Sequence, residues 1–138
     1  MLQLGMEVSV KKMLFTVFAL VAGLVIASRP VAAHHGAAVF ENDPAKRLVL
    51  KGTVVEWTWS NPHTLLQFDV KSADGQAVRW VVEAGNPPDM VNRGWSIKSF
   101  KPGDEVTVTV RPVKSGKPVG SIVRVQFADG HILSATGN

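Results

Sequence analysis

The chain contains no cysteine, which excludes disulfide staples, thiolate metal sites and a cysteine nucleophile together. Stability must then come from an apolar core, which about 100 residues can supply. Tyrosine is absent too, so the four tryptophans, Trp57, Trp59, Trp80 and Trp95, stand out as the aromatic feature. Histidine is missing from the first 33 residues, and all four copies follow, at His34, His35, His63 and His131. No Ser-His-Asp order, Gly-rich phosphate loop or zinc-protease motif is present. The carboxylate spacing gives no acid/base pair a shared location. Enzyme is therefore the minority reading.

Among 138 residues there is room for one domain, and the first quarter reads differently from the rest. Lys11 and Lys12 precede the apolar run 13–27, and Ser-Arg-Pro-Val-Ala-Ala follows it. That is the order of a secretory signal, with Val31 and Ala33 at the two positions a peptidase reads. A membrane span needs about 20 apolar residues, whereas this run breaks at Ser28, Arg29 and Pro30. Membrane contact is thus expected only through the signal before cleavage. Met1 and Met6 are both candidate starts. The expected division is a signal peptide at 1–33, an N-terminal arm at 34–46 without strong periodicity and flexible at its start, and a β domain at 47–138, periplasmic or secreted. Removing residues 1–33 takes three basic residues and one acidic one, so the formal charge falls from +4 to +2. So weak a positive balance argues against a nucleic-acid partner.

From residue 47 onward the apolar residues alternate with a period of two, interrupted by turn residues. Strands are expected over about 47–59, 63–71, 77–84, 105–113 and 120–127, with a brief last extended piece at 131–134. Gly52 is a natural place for a bulge or kink in the first. Asn86 suits a helix N-cap and Pro87 the first helical position. A short helix reaching Asn92 or Arg93 would end at Gly94, with Trp95 and Ile97 packing under the sheet. Three strands, a short helix and two more strands is the order of a mainly β, five-stranded Greek-key barrel of the OB type. A small antiparallel sandwich uses the same strands with different closure.

His34-His35-Gly36, Gly52-Thr53-Val54, Trp59-Ser60-Asn61-Pro62-His63, Trp80 with Glu83-x-Gly85, Arg93-Gly94-Trp95, Lys101-Pro102-Gly103-Asp104 and Asp129-Gly130 together resemble a widespread family of small exported bacterial proteins of unknown function. The similarity covers essentially all of the chain after the signal. It implies export and an OB-like barrel, and it brings no activity to any residue.

Cleavage after Ala33 would leave His34 first, its amine and imidazole able to chelate one ion. His35 in second place adds a grip through amine, deprotonated amide and imidazole. Nitrogen-rich tetragonal sites favour Cu(II), and a more tetrahedral set would take Zn(II). The arrangement resembles locally the copper brace of certain secreted oxidative enzymes, which have another fold and need a further histidine. His63 is the internal candidate for that ligand if the arm 34–40 folds across the barrel rim. Exposed, unoccupied histidines at a frayed terminus are the bland alternative. A redox-active copper enzyme would need an open coordination position as well.

The second hypothesis is a metal-free module that recognises a protein, peptide or glycan through Trp57, Trp59, Asn61, Glu83 and Arg93. Trp57 and Trp59 point to one side of their strand and could form a stacking platform, while Trp80, between Val78 and Val82, reads as core. Glu83 and Arg93 are expected to form an ion pair supporting the helix connection.

Overall fold

The structure, a computed structural model, describes residues 39–136. Its strands are β1 (Leu48–Thr58), β2 (Leu65–Lys71), β3 (Ala77–Glu83), β4 (Glu105–Pro112), β5 (Val119–Phe127) and β6 (Ile132–Ser134), with one short helix, α1 (Pro87–Val91), between β3 and β4. They form one sheet in the order β3-β2-β1-β4-β5-β6, and a parallel β3–β5 pairing closes the first five strands into a barrel. The expected OB-like topology is the one observed, and β6 extends the sheet from β5.

The alternation of side chains builds the core. Leu66 and Phe68 of β2, Val82 of β3, Val106, Val108 and Val110 of β4, and Ile122 and Val125 of β5 all point inward and are buried. β1 is long because it serves two neighbours: Gly52 pairs with Val70 on one side and Val106 on the other. A Cβ at Gly52 would lie 2.5 Å from the Asp69 carbonyl oxygen and 2.8 Å from Phe68 Cδ2. Glycine is needed there for close packing, and the register shift falls later, between Val54 and Glu56, correcting the bulge expected at Gly52.

Local polar chemistry sets the helix. Asn86 caps α1 by accepting from the Asp89 N–H, with proline in the first turn, as its sequence implies. The helix ends at Val91, sooner than expected, because Arg93 and Gly94 N–H groups donate to Met90 and Val91 carbonyls three residues back, which tightens the chain out of α geometry. Trp95 is buried as anticipated. Ile97 is not: it is 63% exposed, because residues 96–99 form a turn held by the Ser99 N–H to Ser96 carbonyl bond and Ile97 sits at its tip.

One further expectation changes, at Trp80. The start of the arm, residues 34–38, lies outside the described residues; from Val39 onward the chain is docked, with Phe40 bridging Val113, buried, and 5.8 Å from the Arg111 guanidinium. A 3-10 turn at Pro44–Lys46, capped by Asp43, then leads into β1. Trp80 is only half-buried, at the margin of the core rather than inside it.

On the outer face Asp69 and Arg79 are cross-strand partners joined by two hydrogen bonds of 2.7 and 3.0 Å. The hydrogen bonds from the Arg79 guanidinium hold the Asp69 carboxyl below the usual aspartate range. A depressed carboxyl stabilises the fold above its unfolded pKa and ceases to do so as pH falls through the folded value. Asp69→Asn should therefore cost about 0.5 kcal/mol at neutral pH for so exposed a pair. The gap to the parent should close as pH drops below about 4, which urea titrations at several pH values will show.

Candidate functional site

His63 follows β1 and precedes β2, so the loop that carries it is aimed by both strands. Thr64 anchors that loop. It is fully buried, its N–H and hydroxyl both donate to the Gly85 carbonyl at 3.1 Å, and its own carbonyl accepts from the Ala84 N–H at 2.9 Å. These bonds carry the β2–β3 ladder past Leu65 and Glu83, which are register partners. His63, two residues before Leu65, thereby meets Glu83: Nδ1 to Oε2 is 3.2 Å, with side chains 47% and 26% exposed. The pair offers a solvent-facing imidazole held by a carboxylate, an arrangement that also orients histidines in metal sites.

The expected Glu83–Arg93 ion pair is replaced by this one. Arg93 lies past the end of α1 in an exposed turn, while Glu83 is committed across the sheet to His63. Asn61 is exposed in the same loop as His63. Among the other carboxylates, Glu56 accepts from Gln67 Nε2 at 2.9 Å and from Thr58 Oγ1 at 3.2 Å, and Asp89 is tied to Asn86.

Trp57, in β1, and Trp59, just after its end, have ring centroids 5.7 Å apart, but their planes are inclined by 52°. Trp57 packs on Trp95 at 5.9 Å and on Phe100 at 5.0 Å, and its indole N–H donates to the Ser96 carbonyl. The flat two-ring platform is therefore not formed. Trp57 plugs this end of the barrel and Trp59, half-buried, leans on it. His131 packs 5.6 Å from Phe127.

His34 and His35 lie outside the described residues. Among the described residues no group of three metal-ligating side chains comes together. The described arm, Val39 and Phe40, runs beside Pro112 to Lys114, at the end of the barrel where β1 starts, whereas His63 follows the other end of β1. No helix among the described residues is long and apolar enough to cross a membrane.

A five-stranded closed barrel with a capped helix between its third and fourth strands makes this a small OB-like β-barrel protein. The model of the family described as "Family of unknown function (DUF6152)" matches residues 21–125. The chain belongs to that family. No curated protein matches it closely enough to lend it an activity.

Proposed function

We propose that this barrel is an exported, periplasmic or secreted, metal-binding protein that takes Cu(II) at its processed N-terminus, using the terminal amine with His34 and His35. The observation that carries the reading is the order of Lys11-Lys12, apolar run, Val31-Ala32-Ala33 and His34-His35. One cleavage there creates the chelating terminus. Phe40, which bridges Val113, ties the chain to the barrel six residues after His34. Amine, amide and imidazole nitrogens make a tetragonal donor set that favours Cu(II) over Zn(II).

Placement favours a terminal site that does not need His63. Val39 and Phe40 dock beside Pro112 to Lys114, where β1 starts, and His63 follows the end of β1. The terminus is therefore taken as a site in its own right, and His63 with Glu83 as a separate rim feature that favours the second reading, a metal-free interaction module.

The test is a Cu(II) titration of the processed protein, its terminus verified by mass spectrometry, beside the same protein acetylated at its terminal amine. Stoichiometric binding abolished by acetylation is the expected result, with His63→Ala and His131→Ala both unchanged. Equal binding by the two versions, or none, removes the terminal site and leaves the rim pair.

A further inference from the structure

The two ends of the barrel are finished differently. Where β1 finishes, Trp57, Trp95 and Phe100 pack ring against ring over the buried Met90 of α1. Where β1 begins, no such plug exists among the described residues. Trp80 instead lines an open cavity of about 420 Å³ together with Leu48, at the start of β1, and Pro112, at the end of β4. Trp57 and Trp95 donate their indole N–H groups to the Ser96 and Ser134 carbonyls. The Trp80 indole has no protein acceptor among the described residues. Barrel mouths are recurrent ligand sites, and a half-exposed tryptophan wall offers a ring both a stacking face and a polar edge.

Charge narrows the ligand. Glu41, Lys46, Lys114 and Lys117 border the cavity. Lys46 is held by Glu41 at 2.7 Å, while Lys114 and Lys117 have no carboxylate partner among the described residues, so the mouth is net positive. Its charges are ammonium groups on flexible stems. Two of the turn's backbone amides are already used, Lys114 N–H donating to the Val39 carbonyl at 3.0 Å and Gly116 N–H to the Val113 carbonyl at 3.2 Å. Bidentate capture of a phosphate or a carboxylate calls for an arginine fork. No arginine borders this cavity, so an anion here meets ammonium point charges, and a carboxylate carried on a ring that stacks on Trp80 meets both features of the mouth.

We infer that this mouth binds an acidic saccharide. A pyranose ring lies against Trp80, its carboxylate meets Lys114 and Lys117, and the Glu41–Lys46 pair accepts and donates to ring hydroxyls. The site shares no residue with the terminal copper site and stands or falls separately from it.

The experiment is an NMR titration of the processed, isotope-labelled protein with tetragalacturonate, its methyl ester and ATP, following the four indole N–H signals. Trp80→Phe, by the signal it removes, identifies the Trp80 resonance. The acid is expected to shift that resonance and the ester to leave it in place. Lys114→Glu with Lys117→Glu should weaken binding by about tenfold or more, while Lys98→Ala, in the exposed turn after Trp95 at the far end, should leave it unchanged. The signal dispersion reports that each variant is folded. Absence of a shift with the acid, an equal response to the ester, or undiminished binding by the double lysine variant overturns the inference. A stronger response to ATP than to the acid does so as well, by moving the ligand class to nucleotides.

Discussion

Trp95→Ala is expected to lower the unfolding free energy by about 3 to 5 kcal/mol, a large share of the roughly 5 to 15 kcal/mol that a domain possesses. Trp95 is 2% exposed and touches Trp57 and Phe100 with centroids 5.9 and 5.7 Å away. Its indole N–H donates to the Ser134 carbonyl at 2.8 Å, so one side chain ties the segment after α1 to β6. Truncation would empty the ring's volume and leave that part-buried carbonyl without its donor. Trp95→Phe should recover most of the packing and lack only the hydrogen bond, for a loss of about 1 to 3 kcal/mol. Denaturant unfolding followed by far-ultraviolet circular dichroism separates the two. A Trp95→Ala cost below about 1 kcal/mol would mean that the cluster repacks around the gap.

Gly120→Ala should be comparably damaging, by overcrowding. Gly120 is the point where β5 pairs with Pro112 of β4 on one side and Val82 of β3 on the other. A Cβ there would overlap Val110 Cγ1 and lie 2.6 Å from the Arg111 carbonyl oxygen. A side-chain methyl can move; the backbone carbonyl of a paired strand cannot without opening the ladder. The expected loss is about 3 kcal/mol. Adding Val110→Ala should restore only part of it, because the carbonyl contact remains, and the shortfall from additivity in that double mutant measures the coupling. Full restoration would locate the whole conflict at the Val110 methyl.

Much of the fold is legible in the chain because it rests on local rules. Period-two alternation marks every barrel strand, and Asn86-Pro87 announces a capped helix whose polar groups are satisfied within a few residues. Expectations fail where a distant segment decides the outcome. Ile97 follows the inward spacing of Trp95 yet faces water, because a serine-stapled turn intervenes. Trp80 sits between two inward valines, but the cross-barrel neighbours that would cover it, Leu48 and Pro112, leave a mouth. The His63–Glu83 pair needs the Leu65–Glu83 register, which no local pattern encodes. The nearest signal is the matched position of the two residues, His63 just before β2 and Glu83 at the end of β3, meaningful once those strands are known to form a hairpin.

The closure of the barrel also has a history written into it. Every antiparallel neighbour of β1 makes at least six residue pairs, but β3 and β5 meet in parallel through three: Val81 with Val119, Val82 with Gly120 and Glu83 with Ser121. Between those partners the chain travels through α1, all of β4 and a hairpin turn. Joining such remote stretches costs loop entropy that only completed neighbours can offset. The seam is thus expected to be the last wall to form as the chain folds. Until it does, the β2–β3 and β4–β5 hairpins are two separate flaps hinged on β1, and the mouth beside Trp80 does not yet exist.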